Sequence, residues 1–176
     1  MTFALIILLA AAEPDSSGRG ASREPLTVHF TFGLSGGAGV GERFRWILGL
    51  GELWAIADVA LGKLFHVRGL LGARVGTMGA EYPLYGFQAG LQARVRPLPW
   101  LSLGAGLELG FLSVASPGSL ILFAGPTVTP IAVHFGARHE HELSASWLLP
   151  LDLYSLVNLQ FSPQGQYVFL RYAYFF

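Results

Sequence analysis

Six polar residues of one parity could act together: Asp58, Arg68, Arg74, Gln88, Arg94 and Glu108. In an extended chain every second side chain shares a face, so residues of one parity point the same way along a strand. A turn at Gly62-Lys63 sets Asp58 opposite Arg68. A loop near Glu81 then sets Arg68 opposite Arg94 and Arg74 opposite Gln88, and a turn at Leu98 sets Gln88 opposite Glu108. Two layers are expected, Asp58–Arg68–Arg94 and Arg74–Gln88–Glu108. Guanidinium and carboxylate groups gathered this way can line a charged path or a ligand pocket. The plainer chemistry is a packed network in which each charge satisfies another. A one-residue slip in register would overturn the set.

A second concentration of ionisable groups is His134 with Arg138-His-Glu-His-Glu142. Imidazole suits zinc, copper or nickel. The spacing does not suit a site, because on a strand His139 and His141 share one face while Glu140 and Glu142 take the other. A solvated turn is expected here, with no bound metal. The chain has no Cys, which excludes disulfides, thiol chemistry and a lipid anchor on cysteine. Eleven basic residues balance eleven acidic ones, and no basic stripe marks a nucleic-acid surface. No nucleotide loop or paired-carboxylate signature is present, and no cofactor is expected.

The elements that must position these residues are strands. Val28, Phe30, Phe32 and Leu34 alternate with His29, Thr31, Gly33 and Ser35; Leu101, Leu103, Ala105, Leu107 and Leu109 alternate with Ser102, Gly104, Gly106, Glu108 and Gly110. Similar runs cover residues 65–76, 85–96 and 151–160. Charged residues make up 12% of the chain against 52% hydrophobic, about half the charge of an ordinary soluble domain. The mean hydropathy of +0.50 implies short loops. A membrane helix would be apolar all round over ~20 residues, whereas a barrel strand alternates over ~10. The period therefore predicts an all-β protein: a membrane-spanning, antiparallel, up-and-down β-barrel over residues 26–176. Most of the 23 glycines fall on the polar parity, where small residues let a narrow barrel close.

Tight turns are expected at Gly62-Lys63, Pro97–Pro99, Val128–Pro130 and Leu149-Pro150. Loops are expected at Gly36–Arg43, Gly79–Pro83, Ala115–Gly118, His139–Glu142 and Ser162–Gly165. This division gives ten strands. The alternative is eight, with Leu120–Ala137 and Leu143–Phe161 each a single strand. Pro126, Pro130 and Pro150 favour ten, because a proline within a closed sheet removes a ladder hydrogen bond.

Both ends of the chain bear on location. Val168, Leu170, Tyr172, Tyr174 and Phe176 share one face of the last strand, with Arg171 and Ala173 on the other. A final strand that alternates in this way and stops on Phe resembles the C-terminal assembly signal of bacterial outer-membrane β-barrels. That resemblance implies residence in the bacterial outer membrane, contact with its lipid, and handling by the barrel assembly machinery. Residues 1–12 read as a signal peptide ending in Ala10-Ala11-Ala12, although no Lys or Arg precedes the apolar run. Residues 13–25 read as a linker rich in Ser, Gly and Pro. Tyr82, Tyr85 and Trp100 flank expected turns, as interfacial aromatics do.

Two function classes follow. One is a small structural or interaction barrel, with a narrow channel as its variant. The other is an enzyme acting on lipid A or phospholipid. Lipid A deacylase barrels carry a His-x-Ser pair on the outer wall. The nearest approach here is His141-Glu-Leu-Ser144, one residue too long, so the activity is not carried over.

Overall fold

The computed structural model describes residues 28–43, 46–79, 82–115, 119–152 and 165–176. The expected signal peptide and linker lie outside them, as does the alternation over 153–160. Five long strands come first: β1 (Val28–Arg43), β2 (Trp46–Leu61), β3 (Phe65–Met78), β4 (Tyr82–Leu98) and β5 (Leu101–Val114). They are followed by β6 (Ser119–Phe135), β7 (His141–Leu148), β8 (Leu151–Asp152) and β9 (Gly165–Phe175). Each pairs antiparallel with its neighbour, and β9 returns to pair with β1, so the sheet closes. Over residues 33–43 β1 is paired on both sides, and closure of this kind is the condition for crossing hydrocarbon with strands.

The barrel has eight strand positions, which corrects the expected ten. β7 and β8 occupy one position: Thr127↔Leu148 and Ala124↔Leu151 keep a single register along β6. The reason lies in where the prolines sit. Pro130 falls in a bulge on both sides of β6, between the pairs Val128↔Trp147 and Ile131↔Ala145 and between Ser102↔Ala132 and Gly104↔Thr129. A bulged residue is left out of the ladder, so its missing N–H costs nothing there. The bulge also resets the side-chain phase, and Val128 and Ile131 both face outward at 42% and 48% exposure. Pro150 lies in the interruption between β7 and β8, while the Leu149 N–H still reaches the Pro126 carbonyl at 3.0 Å. Val128–Pro130 and Leu149-Pro150 are thus strand irregularities and not turns. The expected loop at Gly36–Arg43 is likewise strand, paired with β2 through Arg43↔Trp46 and with β9 through Arg43↔Gly165.

The seam between β1 and β9 pairs small with large residues on the inner face. Gly33, Gly37, Gly39 and Gly41 lie opposite Phe175, Arg171, Phe169 and Tyr167. A Cβ at Gly33 would stand 2.8 Å from the Phe175 ring, and Cβ atoms at Gly39 and Gly41 would overlap the rings of Phe169 and Tyr167. Glycine here makes room for the side chains that fill the lumen. Outside, the apolar parity is bare: Phe30 is 71% exposed, Leu71 67% and Leu107 64%. A belt of this kind needs an apolar solvent.

Candidate functional site

The interior is stacked in layers along the strands, as the register of β2 with β3 shows: Leu50↔Gly76, Glu52↔Arg74, Trp54↔Gly72, Ile56↔Leu70 and Asp58↔Arg68. At the end carrying the connections 44–45, 79–81, 115–118 and 153–164, Leu48, Leu84, Leu112, Phe123, Leu148 and Tyr167 form a buried apolar cluster. Inside it lies the first charge layer. Arg74 Nη2 donates to Glu52 at 3.0 Å and to Glu108 at 3.3 Å. Arg171 donates through Nε to Glu52, and through Nη2 to Glu52 at 3.2 Å and to Glu108 at 3.3 Å. The Arg74 guanidinium also stacks on the Phe169 ring at 4.4 Å, which satisfies its face where no acceptor is present. Two arginines and two glutamates therefore cancel.

A buried apolar layer of Trp54, Ile56, Leu70, Ala173 and Phe175 follows, and then a second charge layer. Glu142 Oε1 accepts from Arg68 Nη1 at 3.0 Å and from Arg94 Nη1 at 2.9 Å. Arg68 Nη2 pairs with the other Glu142 oxygen at 2.9 Å. Asp58 accepts from Arg68 Nε at 3.1 Å and meets His66 Nδ1 at 2.9 Å. A carboxylate only accepts, so His66 donates through Nδ1. Beside this layer Ser102 Oγ is hydrogen-bonded to His134 Nε2 at 2.8 Å. This layer too holds two arginines and two carboxylates. Charges of this kind are tolerable in a lumen only because each has its opposite within reach.

Of the six expected residues, the structure brings Asp58, Arg68 and Arg94 into one layer and Arg74 and Glu108 into the other. Gln88 is buried nearby, but neither of its amide atoms has a partner among the described residues. Asp58↔Arg68 is paired as expected. Arg68 lies opposite Gln92 instead of Arg94, Arg74 opposite Gly86 instead of Gln88, and Glu108 opposite Gly90 instead of Gln88. Each shift is by two residues, so every side chain keeps its face. The two layers were expected without Glu52, Glu142 and Arg171, which supply most of the pairing. Glu142 had been placed in a solvated turn, whereas it opens β7 and is 1% exposed. Its inward parity with Ser144, Ser146 and Leu148 was the available signal.

The histidine cluster does not converge. His134 faces in and meets Glu142 at 3.9 Å, while His141 faces out. Among the described residues no group of three metal-ligating side chains gathers. His141 and Ser144 lie on opposite faces of β7, with Ser144 buried inside. The outer wall at the turn end carries aromatics instead. His141 Nδ1 meets the Tyr172 hydroxyl at 2.7 Å and its ring stacks on Phe135 at 5.2 Å. Val168, Leu170, Tyr172, Tyr174 and Phe176 all face outward, at 45% exposure or more. Tyr167, Phe169 and Phe175 of the same strand face inward.

The turn 136–140 between β6 and β7 closes the other end. His139 takes a left-handed backbone, φ 56°, and its N–H meets the Gly136 carbonyl at 3.2 Å. The Arg138 N–H donates to the Glu140 carboxylate at 2.7 Å. That bond and one from its own backbone hold the Glu140 carboxyl below the usual glutamate value.

The geometry defines a closed, eight-stranded antiparallel barrel with an apolar exterior and a filled, charge-balanced interior. It is similar in fold to Neisserial surface protein A (NspA), with a TM-score of 0.67 and 11% sequence identity, over 85% of this chain and 97% of that one. It is similar also to Ail, the attachment invasion locus protein of Yersinia pestis, solved in complex with the heparin analogue sucrose octasulfate. There the TM-score is 0.52 and the identity 11%, over 84% of this chain and 97% of that one. No protein-family model matches the sequence, and no curated protein is similar to it by sequence.

Proposed function

We propose that the chain is a small integral protein of the Gram-negative outer membrane, with a structural or interaction role and a lumen that does not conduct. The observation that carries this is the filled interior inside an apolar wall. Among the described residues an apolar cluster at one end and two neutral charge layers fill the lumen. Barrels of eight strands have interiors that side chains can fill. The Val168–Phe176 face supports insertion by the barrel assembly machinery, and the exposed belt supports contact with outer-membrane lipid. The likeness to a protein of attachment and invasion supports an interaction role.

The test is twofold. The chain should fractionate with the outer membrane and migrate in a heat-modifiable way. In planar bilayers the purified barrel should give no discrete conductance steps. Recovery with the inner membrane would refute the location, and reproducible single-channel steps would refute the closed lumen. Lipid A and phospholipid profiles that change when the gene is deleted, and recover only with active protein, would favour a lipid-modifying enzyme instead.

A further inference from the structure

The interior charges cancel, but the turn end does not. Four arginines, Arg68, Arg74, Arg94 and Arg171, meet four carboxylates, Asp58, Glu52, Glu108 and Glu142. Arg96 is a fifth, one inward step from Arg94 along β4, and no described carboxylate lies within ion-pairing distance of it. Its Nε donates to the Pro99 carbonyl at 2.8 Å, which fixes the plane of the guanidinium. Its Nη2 is buried without a partner. Arg96 borders two cavities at this mouth, each of about 480 Å³. His139 borders both as well, placed by its left-handed backbone, and its Nδ1 is also unpartnered.

We propose that this mouth binds a phosphate-type oxyanion, with Arg96 as its principal ligand. A guanidinium held in plane offers a fork that matches phosphate oxygens. The charge count selects the class of ligand. Lys63 and Arg96 line one cavity, whereas Arg138 and Glu140 line the other together with the terminal residue Phe176. Lys63 and Arg96 face no acidic side chain in the cavity they share, and their two positive charges suit a dianion better than a carboxylate. A metal cation would meet the same excess as repulsion. The proposal concerns the mouth alone and does not depend on whether the lumen conducts.

The same phosphate chemistry could come from a soluble phosphate or from a lipid headgroup at the membrane surface, and the experiment separates them. The full chain, labelled with ¹⁵N, is refolded into nanodiscs of zwitterionic lipid. Inorganic phosphate is titrated against chloride at matched ionic strength while the Arg96 Nε–Hε resonance is followed. A parallel sample uses phosphatidylglycerol nanodiscs with no added phosphate. A saturable shift with inorganic phosphate identifies a soluble ligand. A shift found only in phosphatidylglycerol identifies a headgroup. In either case Arg96→Gln, followed through the backbone amides of Lys63 and Leu64, should weaken binding about tenfold or more, the loss of one charge-assisted pair. Lys63→Gln, on the exposed turn, should weaken it by a smaller factor and serves as the second variant should Arg96→Gln fail to refold. Three results would overturn the proposal: no saturable response in either sample, a response undiminished by both substitutions, or equal affinity for acetate.

Discussion

Glu142→Ala tests whether charge balance inside the barrel is structural. The substitution removes the acceptor of Arg94 Nη1 at 2.9 Å and of Arg68 Nη1 at 3.0 Å. Arg68 keeps Asp58 at 3.1 Å, but Arg94 keeps only the Gln92 amide oxygen at 3.3 Å. One buried guanidinium is left without a counter-charge, at a cost of about 3–5 kcal/mol. The comparison is Leu107→Ala on the lipid face. That loses about three buried carbons, or about 2 kcal/mol, with no cavity because lipid closes the space. Urea unfolding of the barrel in lipid vesicles measures both. The decisive arm is a double substitution: Arg94→Gln on the Glu142→Gln background restores neutrality and should recover 1.5 kcal/mol or more of the Glu142→Gln loss. Arg94→Gln added to Leu107→Ala should recover nothing. Additive losses for Glu142→Gln and Arg94→Gln, or a Glu142→Ala loss no larger than that of Leu107→Ala, would refute the reasoning.

Gly41→Ala should cost about 1–3 kcal/mol, because its Cβ would overlap the Tyr167 ring, whereas Gly36→Ala should be near neutral, with its closest neighbour at 3.9 Å; equal unfolding midpoints would contradict the seam. Deleting Phe176, which is 71% exposed and packs little, should slow insertion in cells but leave refolding of the purified chain in detergent near normal; unchanged outer-membrane levels at native expression would argue against an assembly signal. Glu140 should titrate below the ordinary glutamate range. The order it gives the 136–140 turn is therefore present above the ordinary value and lost as pH falls through the depressed one. The Arg138 amide shift reports this, and a midpoint at the ordinary value would remove the backbone bonds as its cause.

Which face each residue takes was legible in the sequence, because a period of two survives errors in register. The expected pairings of Arg68 and Glu108 were off by two residues, and both side chains still point inward. Strand number was not legible, because a proline reads as a breaker whether it ends a strand or sits in a bulge. Pro130 and Pro150 look alike in the sequence to Pro99, which does stand in a turn, between β4 and β5; the turn expected at Pro97–Pro99 lies at Pro99-Trp100, with Pro97 still in β4. The strongest pairs were hidden for a different reason. Arg171 and Glu52 meet only when the last strand closes on the first, 119 residues apart, and Glu142 reaches Arg68 across 74. Local hairpin geometry carries no information about either. On the last strand Arg171 marked the lumen side, although Tyr167, Phe169 and Phe175 on that side are as apolar as the lipid face.

The β1–β9 seam makes closure self-checking. Sliding β9 by two residues keeps the right side chains inward and leaves every backbone bond available, so neither lipid nor the ladder would object. The inner face would. With that slip Phe175 would confront Ser35 in place of Gly33, and Arg171 would move to Gly39, out of line with Glu52. Bulk and charge would then misalign together. The joint behaves as a keyed lock: hydrogen bonding alone would accept several alignments of the last strand against the first, and the alternation of notch and tooth admits one.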